Sequence, residues 1–199
     1  MLVSKINFQI RDIASKDDMR GVLQGIHVTP WYTEATDGNV FARVIRPELD
    51  EGEFPNVEGE GESEFEAVIP VKGLPREAPK SSLPILSNFL LRRNRDRDGR
   101  KRIEVITTDL ERVEKIGFWE MDGVFPDINR VIPGDREGDR QIIFNPQILT
   151  KLLNVFVKSG CGSIKMTIPE DVLSAVKVEG KTEKGEQSIM GMVMPMKVR

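Results

Sequence analysis

Apolar positions along the chain follow two rhythms. From Pro146 to Lys158 they recur every three to four residues, with Ile148, Leu149, Leu152, Leu153 and Phe156 on one face and Thr150, Lys151, Asn154 and Lys158 opposite. That is the spacing of a helix lying on a core. Asn145 precedes it as a cap, Pro146 suits the first turn, and Gly160 stands where chains leave a helix. A shorter helix is predicted over Lys16–Gln24 and a third over Ser81–Arg92, with Pro84 near its start. Elsewhere the period falls to two, as in Ile164, Met166 and Ile168 and in Val176 and Val178, the mark of half-buried strands. Near the end, Met190, Met192, Met194, Met196 and Val198 alternate with Ile189, Gly191, Val193, Pro195 and Lys197. Core packing is the first reading of this methionine row. The wall of a groove for variable apolar ligands is the second, because methionine adapts to irregular partners. Strand, helix and strands recur along the chain, which predicts an α+β fold of antiparallel strands with one helix per repeated unit.

Composition narrows the classes. A chain of 199 residues fits one large domain or two small ones. Hydrophobic content of 39% and charged content of 31% are those of a globular protein, and no apolar run approaches the roughly 20 residues that span a bilayer. The first residues carry no basic start followed by an apolar core, and Cys161 is the single cysteine, so a reducing cytoplasm is expected. With His27 the lone histidine, soft metal ligands are too few for a zinc site, and both residues read as ordinary structural ones. No phosphate-cradling glycine loop or nucleophile elbow occurs. The expectation is a protein that is not an enzyme and needs no cofactor.

Charge is unevenly distributed behind a net value of −3. Between Glu48 and Glu66 stand nine acidic residues and no basic one, among Gly and Pro, which reads as a solvated loop. From Arg92 to Arg102 the balance reverses. This stretch is either a phosphate-binding patch or a solvated turn built on the string DRDGR, leading from the apolar stretch Leu83–Leu91 into a strand near Ile103.

Four strings in order, ATDGNVFA at Ala35–Ala42, VIPVKGL at Val68–Leu74, DGVFPDINRVIP at Asp122–Pro133 and MVMPMKV at Met192–Val198, resemble the bacterial DNA polymerase III β sliding clamp. DMRGVLQGI at Asp18–Ile26 is similar to the helix of that family's second domain, and FNPQILTKLLNVF at Phe144–Phe156 to the last helix of its third. The resemblance divides the chain into residues 1–134, similar to the middle domain, and 135–199, similar to the second half of the last. Nothing corresponds to the first domain.

The family binds short linear motifs of polymerases and repair proteins in a pocket between its second and third domains. Carried over by position, the resemblance implies a pocket of Leu23, Thr36, Gly38, Asn39, Val40, Phe41, Pro126, Val131, Ala175, Met192, Met194, Pro195 and Met196. Asn39 replaces a frequent His and Ala175 a frequent Ser, so motif preference is expected to differ. Taken alone, ATDG reads as a hairpin turn and FPDINRVIP as a linker. The family holds duplex DNA without reading its sequence, and Arg20 and Lys72 occupy positions where it has DNA-facing basic residues, with Arg92, Arg93 and Arg95 as further candidates. An exposed, salt-bridged helix accounts for Arg20 and Lys72 equally well. An odd number of units is expected to be completed by a homo-oligomer, as symmetric dimers commonly are. The function implied is a replication or repair scaffold, a processivity factor. The alternative is a decoy or assembly protein that sequesters clamp partners without loading on DNA.

Overall fold

A computed structural model of the chain describes residues 1–46, 48, 61–62, 64–74, 88–108, 110–134, 139, 141–183 and 187–197. Most of the acidic stretch between Glu48 and Glu66 lies outside the described residues, as do residues 81–87 of the helix predicted over Ser81–Arg92. Among the described residues the chain is an α+β protein with three antiparallel sheets and few helices, in two compact units, Met1–Arg130 and Val131–Arg199.

The first unit holds β1 (Leu2–Ser4), β2 (Gly25–Val28), β3 (Tyr32–Thr36), β4 (Phe41–Ile45), β5 (Ala67–Pro70), β6 (Asn88–Arg95), β7 (Lys101–Thr108) and β8 (Val113–Trp119). They form two four-stranded sheets, in the orders β1-β6-β7-β8 and β4-β3-β2-β5. Their shared core contains Val3, Ile26, Val28, Ile69, Phe89, Leu91, Ile103 and Val105, all essentially inaccessible. Strand periodicity places these side chains. On β7, Ile103 and Val105 turn inward while Arg102 and Glu104 alternate with them. A 3-10 helix over Lys5–Ile13 adds Phe8, whose ring meets Phe89 edge to face with centroids 5.2 Å apart.

Two predicted helices differ in the structure. Asn88–Arg92, expected at the end of a helix, begins β6. Phe89 and Leu91 enter the core, while Leu90 is also buried and stands opposite Ile106. Burial on both faces produces a continuous apolar run, and such a run carries no period to separate strand from helix. Over Lys16–Gln24 the chain forms not an α-helix but a 3-10 helix at Asp18–Gln24, broken at Gly21 with φ 43° and ψ −117°. Only glycine adopts that conformation readily, and a single turn on either side is too short to nucleate an α-helix.

Both turn signals form hairpins. At DRDGR, Asp96 Oδ1 accepts from the backbone N–H groups of Asp98 and Arg100 at 2.9 and 2.8 Å, closing β6 onto β7. The solvated-turn reading of the basic stretch therefore holds for its backbone.

The second unit is a three-stranded sheet of β9 (Cys161–Thr167), β10 (Val176–Thr182) and β11 (Ser188–Val193), in the order β11-β10-β9, with helix α1 (Pro146–Lys158) on one face. Helix α1 forms as its sequence predicts. Asn145 Oδ1 accepts from Gln147 N–H at 2.9 Å, and Gly160 leaves the helix at φ 70°. Phe156 is buried, Leu149, Leu152 and Leu153 are half-buried, and Ile148 is exposed. The helix sits close because two strand positions lack a Cβ. A Cβ on Gly180 would stand 3.0 Å from Phe156 Cδ1, and one on Gly191 would stand 2.5 Å from Leu152 Cδ1. No helix among the described residues is long and apolar enough to cross a membrane.

Candidate peptide-binding site

The candidate residues in the first unit gather around one turn and one segment. The turn is ATDG, between β3 and β4. Asp37 Oδ1 accepts from Asn39 and Val40 N–H at 2.8 and 2.9 Å, and Thr36 Oγ1 donates to the Val40 carbonyl at 2.7 Å. Those two backbone N–H groups hold the Asp37 carboxyl below its ordinary value. Gly38 turns the corner at φ 91°, a conformation that strains any residue with a Cβ. Thr36 is buried in this scaffold, while Gly38, Asn39 and Val40 remain exposed at the tip.

Beside the turn lies a small apolar cluster. Val68, Phe125 and Ile128 are buried, and Val22, Leu23, Phe41 and Met121 pack against them half-exposed. Leu23 and Phe41, far apart in sequence, thus share one apolar surface in the first unit. Pro126 is exposed next to Phe125, and a short 3-10 helix follows over Ile128–Arg130. Asp127 Oδ1 accepts from Asn129 N–H at 3.2 Å.

A polar network that sequence reasoning passed over lies behind this cluster. His27 on β2 stands directly opposite Glu34 on β3. Its Nδ1 is 2.8 Å from Glu34 Oε1, and its Nε2 is 2.8 Å from Glu66 Oε1. Its ring stacks on Phe125 with centroids 4.8 Å apart and planes at 23°. Arg43 on β4 donates from Nε and Nη2 to Glu34 Oε2 at 2.8 and 2.6 Å, and from Nη1 to Asn129 Oδ1 at 2.8 Å. Its guanidinium also lies over the rings of Tyr32, at 4.1 Å, and Phe41, at 5.5 Å.

Burial pulls the His27 pKa down, but hydrogen bonds to Glu34 and Glu66 and their charges outweigh it, leaving the value above 6.5. Burial likewise pushes Glu34 up, yet hydrogen bonds from His27 and Arg43 and their charges leave it below 4.5. No local sequence signal marks this network, because it depends on strand register and on Glu66, 39 residues from His27. Thr29 N–H donates to the Tyr32 carbonyl at 2.9 Å, and a tight turn at Thr29–Tyr32 brings His27 opposite Glu34.

In the second unit the methionine row is not core. Met190, Met192, Met194 and Met196 are 64%, 67%, 62% and 47% exposed, which overturns the first reading of that row. Register explains the outcome. On β11 it is Val193 that faces inward, paired with Val176, whereas Met192 stands opposite Lys177 and Met190 opposite Glu179 on the outer face. The strand ends at Val193, and Met196 N–H then donates to the Ile143 carbonyl at 2.7 Å, tying down the segment through Pro195. Ala175 is half-buried just before β10, and Val131 is 73% exposed.

Two of the basic candidates, Arg20 and Arg93, are committed to the protein itself. Arg20 lies 3.5 Å from Asp17 and donates to the Asp37 carbonyl, bracing the ATDG turn. Arg93 donates to Glu62 at 2.7 Å and to the Glu66 carbonyl at 3.1 Å, with its guanidinium over Phe65. Arg92 is half-buried. Lys72 is exposed in the turn after β5, by a cleft it shares with Arg11, Asp12 and Lys16. Arg95 borders a cleft of about 550 Å³ with Arg100, Lys101, Trp119, Glu120 and Asp122. Lys101 Nζ is 3.5 Å from Glu120 Oε1, so carboxylates oppose the cations there.

No protein-family model matches the chain, and no curated protein matches it significantly.

Proposed function

We propose that the chain is a sliding-clamp-like scaffold of DNA replication or repair, which captures short apolar peptide motifs of polymerases or repair proteins. The observation that carries this reading is the exposed methionine row, Met190 to Met196. A globular unit gains by burying such side chains, and a row of them held at the surface is the composition of a peptide-accepting wall. The apolar surface around Leu23 and Phe41 in the first unit, beside the ATDG turn, supports the same reading. Hydrophobic anchors of an extended peptide would pack on an apolar surface of this kind. The antiparallel sheets suit the clamp plan of repeated strand units, and encirclement of duplex DNA by an oligomer belongs to the same proposal.

Titrating a fluorescent peptide with a Gln followed by spaced Leu and Phe tests the reading. Saturable binding that Met194→Asp weakens by more than about tenfold supports it, given the 1.4 kcal/mol per decade that one anchor contact supplies. Absence of binding, or indifference to the substitution, defeats it.

A second reading, a decoy that holds clamp partners without loading on DNA, is favoured by the internal commitment of Arg20 and Arg93. Retention on nicked circular DNA that is lost on linearisation selects the scaffold. Failure to associate with DNA even at low salt selects the decoy.

A further inference from the structure

His27 is bonded on both ring nitrogens by carboxylates, which only accept hydrogen bonds. Satisfying both contacts requires two N–H groups, so this geometry is that of an imidazolium. The ring lies face to face on Phe125, an arrangement that attracts a cation more than a neutral ring. Four residues further on, Asn129 is held by Arg43, which shares Glu34 with the imidazolium. The segment from Phe125 to Asn129 is therefore fastened at both ends to one charged network. It carries Pro126 and contributes Phe125 and Ile128 to the surface on which Leu23 and Phe41 pack.

We infer that His27 and Arg43 are positioning residues of the peptide-binding surface: the charged His27 holds the Phe125–Arg130 segment, and its deprotonation loosens that segment and weakens peptide binding. The inference deepens the peptide-binding reading and rests on it. Among the described residues, the charged groups that face His27 are Glu34 from β3 and Glu66 from the stretch before β5. Behind them stand Arg43 from β4, on Glu34, and Arg93 from β6, on the Glu66 carbonyl. Phe125, which covers the ring face, does not titrate.

A neutral ring has one N–H to give. Glu34 is 3% exposed and also held by Arg43, whereas Glu66 is 67% exposed. The ring accordingly keeps Nδ1–H on Glu34 and turns an Nε2 lone pair toward Glu66, whose carboxylate moves into water. Phe125 then loses the cation on its face, and the segment loses one of its two fastenings.

His27 is the single histidine, so its imidazole resonances identify themselves in an NMR titration. The expected midpoint lies above 6.5, with the Phe125 ring signals and the amides of Asp122–Arg130 shifting along the same curve. Affinity for the fluorescent peptide is expected to fall about threefold to tenfold across that midpoint, as the loss of one cation–aromatic contact allows. His27→Gln should flatten this profile at the weaker level. Glu66→Gln, at an exposed site, should lower the midpoint without disturbing the fold, so the test survives if the histidine variant does not fold. A midpoint at or below 6.5, segment signals indifferent to the His27 titration, or affinity unchanged across it overturns the inference. If no peptide binds at any pH, the proposed function falls, and the link between His27 and Phe125–Arg130 is still decided by the resonances.

Discussion

Glu34 is the residue on which the first unit's polar network turns, since one buried carboxylate accepts from both His27 and Arg43. Removing its charge by Glu34→Gln leaves Arg43 without its carboxylate and His27 with Glu66 alone. Breaking a buried pair in this way typically costs about 3–5 kcal/mol, and because His27 and Arg43 keep some solvent contact we expect about 3 kcal/mol in urea unfolding at pH 6. The same network sets a pH window for stability. His27, raised above 6.5, contributes fully below that value, and its contribution is lost as pH rises through the folded value. Glu34, lowered below 4.5, contributes fully above that value, and its contribution is lost as pH falls through its folded value. Unfolding free energy measured across pH 3–9 should therefore peak between the two, and His27→Gln should remove the alkaline decline. A lone histidine in a sequence reads as an ordinary side chain, because its meaning comes from Glu66, 39 residues away, and from register with Glu34. Pairing across strands is not written in local pattern.

Helix α1 shows the opposite case at the scale of elements. Cap, first-turn proline, apolar face and exit glycine lie within sixteen consecutive residues, from Asn145 to Gly160, so local sequence determined the whole element. Asn145→Ala should cost about 1 kcal/mol in thermal unfolding, the usual loss for an N-cap. What the sequence did not reveal is where the helix sits, because that depends on Gly180 and Gly191 in two different strands. Their contacts predict an order of effects. A Cβ on Gly180 meets the Ser163 carbonyl at 3.1 Å as well as Phe156, and backbone cannot step aside, whereas a Cβ on Gly191 meets only the Leu152 side chain. Gly180→Ala should therefore destabilise more than Gly191→Ala, within the roughly 1–3 kcal/mol of an overpacked core, and equal losses would count against this account of the helix seat. β6 and the broken 3-10 helix mark the limits of periodicity. One is buried on both faces and the other is cut by Gly21.

For the molecule as a whole, the bearing of the methionine row on function comes from adjacent residues that face opposite ways. Val193 is 2% exposed and Met194 is 62% exposed, although alternation alone left open which set was core. The pattern was legible and its polarity was not, because a period of two names two faces without saying which one a helix covers. This difference separates a binding role from a packing role in one pair of substitutions. Val193→Asp places a charge in the interior of the second unit and should lose its cooperative melt. Met194→Asp places the same charge in water and should leave stability within about 0.5 kcal/mol, as surface substitutions usually do. If Met194→Asp nonetheless removes peptide binding, the loss cannot be charged to unfolding, and the row is a surface kept apolar for a ligand. If both substitutions melt the protein alike, the methionines serve packing, and the peptide-binding reading loses the observation that carries it.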